Sequence, residues 1–481
     1  MTEFVDKDPS GELNLPAVPK ADPPTLQSPS RRLWLGATSS LAVSAGWHAP
    51  ASADTSSILS ALAAGLQPAL PRGKLIDQTV VVSAARLDLQ VARNFPDFNV
   101  PAVLPAFDPS RHGARYAVEL HRIVVPLNLP RTGESLTVTG LLALPVGVKG
   151  PLPVVSWQHG TVLNFDGVPS SLIKLADPGY VLAFPGDSAE TLFNVHRFAA
   201  QGYAVIAADY VGKGPLRNGR SEAYAVPDVT VQACLRILEA GLASMQSMGL
   251  SAGPLFLNGW SQGGINSQWL HQALRQRKIP IAATSASSPF NELTETVRFW
   301  SGAQTYPVPD GVASFPALPD WIWQCLVVLL GSYEVNYGIT GLLHHAVRPQ
   351  FRELTARYWQ TYEPRADAAS PRPTGPTLLV PGFFDRFTHD TNSAFLRQIA
   401  ANSPTYWRYD APIRFYLGIA DEALHPTAAR RAIAAGGALA TEVAVPGGSH
   451  RITFMASLYG EPRHLGGQTN SLEWFNTLRG G

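Results

Sequence analysis

Short apolar runs recur along this chain, closed by glycine- and proline-rich turns, and between many of them apolar residues return at helical spacing. Residues 116–127 and 136–144 read as two strands, and Pro130-Arg131-Thr132-Gly133-Glu134 between them predicts a hairpin. Further strands are predicted at 153–157, 203–208, 255–257, 281–285, 413–417 and 443–445. Helical spacing over 188–200, 229–245, from Ile265 onward and over 428–435 separates them. Strands alternating with helices predict an α/β fold: a mostly parallel central sheet, opened by an antiparallel hairpin and covered by helices on both faces. From about Asn291 to Tyr409 the pattern turns irregular and aromatic, which is too long for a loop and predicts an inserted helical cap.

On this pattern the chain divides into a leader (1–53), an N-terminal extension (54–115), a core (116–290 and 410–481) and a cap (291–409). The extension carries a predicted helix at 57–66 and a stretch containing Pro96, Pro101, Pro105 and Pro109. In the leader, Ser30-Arg31-Arg32-Leu33-Trp34-Leu35-Gly36 resembles a twin-arginine export signal. The apolar run after it is interrupted by Thr38, Ser39, Ser40 and Ser44, so it is too short and too polar to anchor the protein in a membrane. Ala51-Ser52-Ala53 then offers a small-x-small cleavage site, predicting a mature chain from Asp54, a bacterial source, and a periplasmic or secreted location.

A net charge of +1 and the lack of a basic stripe give no reason to expect nucleic acid as a partner. The two cysteines, Cys234 and Cys325, read as small buried hydrophobes rather than a disulfide. No cysteine–histidine pairing has zinc-site spacing, and neither metal nor cofactor is expected. Nothing in the sequence sets an oligomeric state.

Chemistry enters at Gly259-Trp260-Ser261-Gln262-Gly263, placed between the strand at 255–257 and the helix starting near Ile265. In that context G-x-S-x-G predicts a sharp strand-to-helix turn that exposes the serine hydroxyl. A serine hydroxyl needs a histidine to take its proton, and the histidine needs a carboxylate to fix its tautomer. Both should follow the serine on loops after later strands. Asp421, directly after the strand ending at Leu417, is the candidate acid, and His450, in Gly447-Gly448-Ser449-His450, the candidate base. The segment from Leu378 to Asp385 also reads as a strand followed by an acid. Asp421 is preferred because one helix and one strand separate it from His450, whereas Asp385 would leave a strand unexplained.

An oxyanion hole needs two converging backbone N–H groups, expected here from Gln262 and from Thr161 in the loop after the third strand. His159 is expected beside that loop. Together with Trp260, Trp321 and Trp323 it is a candidate for the substrate pocket.

Five segments carry a family likeness: Gln158-His159-Gly160-Thr161, Asp209-Tyr210-Val211-Gly212-Lys213-Gly214, Gly259-Trp260-Ser261-Gln262-Gly263-Gly264, Gly418-Ile419-Ala420-Asp421-Glu422 and Gly448-Ser449-His450. Over residues 116–465 the chain resembles the α/β-hydrolase superfamily, and in particular bacterial exported serine esterases related to the secretory lipases. The likeness implies an α/β-hydrolase fold and hydrolysis of a small-molecule or lipid ester through an acyl-enzyme. The cap aromatics point to an apolar acyl or aryl group. Two other readings stay open. Gly-Trp-Ser-x-Gly-Gly also resembles the nucleophile turn of prolyl-oligopeptidase-type peptidases, although too few residues precede the hairpin for their propeller. A non-catalytic binding protein on a hydrolase scaffold would have to keep all three triad residues unused.

Overall fold

Nine strands form one sheet in the computed structural model, which describes residues 54–217, 222–364, 372–384 and 390–479. The export signal expected within residues 1–53 and the alternative acid Asp385 both lie outside the described residues. The strands are β1 (Ile76–Val82), β2 (Val118–Asn128), β3 (Ser135–Pro145), β4 (Leu152–Gln158), β5 (Ala204–Ala208), β6 (Ala252–Trp260), β7 (Ala283–Ser287), β8 (Ile413–Gly418) and β9 (Ala440–Val445). Their order across the sheet is β1-β2-β3-β5-β4-β6-β7-β8-β9. The pairs from β1 to β5 are antiparallel, and all pairs from β5 to β9 are parallel.

Alternating residues of the central strands feed two separate cores. Val154, Ala204, Ile206, Leu255 and Leu257 face the helices Pro227–Ser247 and Gln262–Gln276. Val155, Trp157, Val205, Ala207 and Phe256 face the helices Ala189–Arg197 and His450–Tyr459. Burial on both sides explains why these strands read as continuous apolar runs rather than alternating ones.

The sheet begins earlier than the sequence pattern suggests. Residues 54–115, set apart as an extension, supply the edge strand β1 and three helices, Thr55–Ala63, Ala84–Phe98 and the short Pro109–His112. β1 offers no periodicity to read because only Val82 of its residues is buried and Asp77, Gln78, Thr79 and Val81 are exposed. The helix Ala84–Phe98 docks through Asp88, which accepts from the His196 ring at 2.9 Å and from the Ala114 N–H at 2.8 Å.

Between β7 and β8 run the helices Leu293–Trp300, Ile322–Tyr337, Leu342–Ala346, Arg352–Thr361, Gly375–Leu378 and Asp390–Asn402. Ile322–Tyr337 is apolar almost all round, and its buried residues join the same core as Pro227–Ser247. The apolar run at 378–380 is no sheet strand, since Leu379 forms only an isolated bridge with Val347. Cys234 and Cys325 are both buried free thiols. Among the described residues no helix is long and apolar enough to cross a membrane.

Candidate active site

The turn from β6 into the helix Gln262–Gln276 places Ser261 at φ 55° and ψ −119°, left-handed backbone that a non-glycine residue rarely adopts. The flanking glycines make the turn possible. A Cβ on Gly259 would stand 2.1 Å from the Gly263 carbonyl oxygen, and one on Gly263 would stand 1.8 Å from that of Gln158. The Ser261 N–H donates to the Ser287 carbonyl at 2.9 Å, pinning the serine to the end of β7.

His450 opens the helix His450–Tyr459, whose first turn is capped by Ser449 through a bond from the Ile452 N–H at 3.3 Å. Its own N–H donates to the Glu422 carboxylate at 3.0 Å. Its Nδ1 lies 3.1 and 3.0 Å from the two carboxylate oxygens of Asp421. Asp421 is held in turn by the N–H groups of Ala423 and Leu424, at 3.1 and 2.9 Å. Burial opposes charge on the imidazole, but the attraction of Asp421 and the hydrogen bond it accepts from Nδ1, with help from Glu422, outweigh it. The His450 pKa is therefore raised above its ordinary value.

Ser261 and His450 border one cavity of about 520 Å³. Thr161, Trp260 and Trp321 border it too, along with Val100, Phe184 and Glu190. Gln262 is the first residue of its helix, so its N–H has no intrahelical acceptor. The Gly160 N–H, by contrast, is already committed to the Glu190 carboxyl at 2.6 Å. The Thr161 hydroxyl meets the Tyr224 hydroxyl at 2.8 Å.

Two of the four pocket candidates stand elsewhere. His159 is 1% exposed, stacks on Tyr210 with ring centres 4.1 Å apart, and donates to the Gly160 carbonyl rather than facing the cavity. Burial holds its pKa down to about 4, leaving it neutral. Trp323 packs on Tyr358 inside the core of the insert, its ring 5.0 Å away. Trp321 does face the cavity, with its ring centre 6.2 Å from that of His450.

Sequence reasoning missed Glu190. It is fully enclosed beside the cavity, and burial raises its pKa to about 8 despite the Gly160 N–H and the nearby His450. No spacing signal links it to Gly160, thirty positions earlier. Val100 was also missed, because its carbonyl reaches the site only through the fold, accepting from the Ser449 hydroxyl at 3.0 Å. Among the described residues no cluster of His, Cys, Asp or Glu could hold a metal ion.

Residues 188–304 match the family model described as secretory lipase. No curated protein matches the sequence. The fold is similar to that of the rice cell wall degrading esterase LipA from Xanthomonas oryzae in a ligand-bound form, at 18% identity and TM-score 0.59, covering 80% of this chain and 95% of that one. A Legionella pneumophila protein superposes with TM-score 0.62 at 14% identity, covering 84% and 98% of the two chains. With the sheet order, these likenesses establish the α/β-hydrolase fold. The chain thus has the α/β-hydrolase fold, and its segment 188–304 is similar to the secretory lipases.

Proposed function

We propose that the protein is a carboxylic ester hydrolase that cleaves its ester through an acyl-enzyme formed on Ser261. His450 takes the serine proton as Oγ attacks the ester carbonyl, and Asp421 holds the imidazole in the tautomer that leaves Nε2 free to accept. The N–H groups of Gln262 and Thr161 receive the developing oxyanion. Collapse expels the alcohol, which takes the proton from His450, and a water repeats the sequence to release the acid.

The observation that carries this reading is the two-oxygen contact of Asp421 with His450 Nδ1 beside a cavity shared with Ser261. The cavity's size is that of a drug-sized ligand, and its Trp260, Trp321 and Phe184 walls suit an apolar acyl or aryl group. Comparing Ser261→Ala with the parent on a p-nitrophenyl ester series tests the assignment. The rate is expected to fall about 10⁴- to 10⁶-fold with folding intact. A variant keeping most of its activity would remove Ser261 from the mechanism.

We also infer export by the twin-arginine route, on the strength of Arg31-Arg32 and Ala51-Ser52-Ala53. Asp54 is the expected N-terminus of the exported protein, and retained export after replacing both arginines by lysine would refute the route.

A further inference from the structure

Lys213 and Glu222 are 2% and 1% exposed, and their charged atoms stand 3.4 Å apart. The Lys213 ammonium donates to the main-chain carbonyls of Val162 and Asn164, each at 2.6 Å, and lies 4.0 Å from the ring centre of Tyr362. Val162 directly follows Thr161. On the other side of the pair, Glu222 accepts from the Gln262 side-chain amide at 2.8 Å. One ion pair thus reaches Gln262 itself and the residue directly after Thr161, the two positions whose N–H groups are assigned to the oxyanion being Gln262 and Thr161.

The same stretch is keyed to the insert. The Ser332 hydroxyl donates to the Glu222 carbonyl at 2.6 Å and accepts from the Tyr224 N–H at 2.9 Å. Tyr224 then closes the circuit at Thr161 through its hydroxyl. Charges buried this deeply contribute little net stability over apolar side chains of similar volume. What they supply instead is direction: a cation fixes two carbonyls in place, and a carboxylate fixes an amide, where apolar groups would only fill space.

We propose that Lys213 and Glu222 are a positioning pair that sets the spacing between the Thr161 and Gln262 N–H donors. The pair touches no reacting atom, and its role rests on the oxyanion assignment above. An oxyanion donor misplaced by a fraction of an ångström costs turnover, whereas ground-state binding is little affected.

The test is the double variant Lys213→Met/Glu222→Leu, which replaces the pair with apolar side chains. Its kcat on p-nitrophenyl butyrate is expected to fall about 10- to 100-fold, with KM within about threefold of the parent. Affinity for an alkyl trifluoromethyl ketone should fall in parallel with kcat. In that adduct Ser261 Oγ bonds to the ketone carbon, His450 takes the serine proton, and the carbonyl oxygen takes the released electron pair as an oxyanion. A folded double variant with unchanged kcat and ketone affinity would overturn the proposal. If the double variant does not fold, Gln262→Leu cuts only the side-chain link and keeps the backbone N–H. It should lower kcat and ketone affinity together, and no change in either overturns the proposal. Ser261→Ala, run alongside, separates the two levels. Its inactivity beside an unimpaired double variant removes the positioning pair alone, and its activity removes the oxyanion assignment and the pair together.

Discussion

The indole N–H of Trp260 donates to the main-chain carbonyl of His450 at 3.2 Å, and the two rings lie 5.0 Å apart. The residue preceding the candidate nucleophile therefore holds the backbone of the candidate base, coupling the turn after β6 to the start of the helix His450–Tyr459. Phe454 stacks on the indole at 4.7 Å, so the ring is packed as well as bonded.

Trp260→Phe keeps an aromatic ring and removes the donor. Losing one neutral hydrogen bond should cost about 1 kcal/mol, read as a fall in kcat of about fivefold with little change in KM. Steady-state kinetics on a short ester check this, and an unchanged kcat would show that the bond does not position His450.

Asp421→Asn should lower turnover about 10³- to 10⁴-fold by favouring the wrong imidazole tautomer. It also carries a pH signature. His450 must be neutral to accept the serine proton, so the acid limb of kcat/KM should lie above the ordinary imidazole value in the parent. The raised pKa also means that protonated His450 stabilises the fold. That contribution is full below the unfolded pKa and is lost as pH rises through the folded value. In the variant the acid limb should move to lower pH, and the stability loss should be greater in acid than in alkali. An acid limb that stays in place would exclude Asp421 as the cause of the His450 shift.

Glu190→Gln tests the buried acid. Folding raises the Glu190 pKa to about 8, so the stability gained from its bound proton is present below its unfolded pKa and is lost as pH rises through about 8. The amide carries no such dependence and can still accept from the Gly160 N–H. Thermal melts from pH 5 to 9 should therefore show the parent losing Tm with rising pH more steeply than the variant. Parallel curves would mean that Glu190 is not held protonated.

Trp321→Ala and Trp323→Ala should separate binding from packing. The first opens a cavity wall, so the gain in kcat/KM with acyl length, about 0.8 kcal/mol per buried methylene, should shrink. The second empties a core position and should cost about 3–5 kcal/mol of stability while leaving the chain-length profile intact. A chain-length profile altered only in the Trp323 variant would reverse the assignment.

Much of the site was legible because its parts obey local rules. The nucleophile turn shows in two glycines that the close approach of Gly263 and Gln158 demands, and the sheet shows in runs buried on both faces. What escaped was set by tertiary contacts. Strand β1 buries only Val82, and Glu190 meets Gly160 only after folding. Trp321 stands at the N-cap and Trp323 inside the first turn of the helix Ile322–Tyr337, and the sequence pattern does not mark that boundary. The crossover that sets β5 beside β3 and β4 next to β6 leaves no trace in either strand's residues.

The carbonyls of Asp97 and Val100 hold the side chains of Arg451 and Ser449, one on each side of His450, across sequence separations of 354 and 349. The candidate base is thus braced by a segment synthesised hundreds of residues before it. Closing so long a span costs only modestly more than a short one, because the entropy grows with the logarithm of length, but it delays the step in time. The enzyme is therefore expected to stay silent throughout its own synthesis. On the proposed mechanism Ser261 has no base until His450 docks, so hydrolytic power is expected only once its flanks have met the Asp97–Val100 segment.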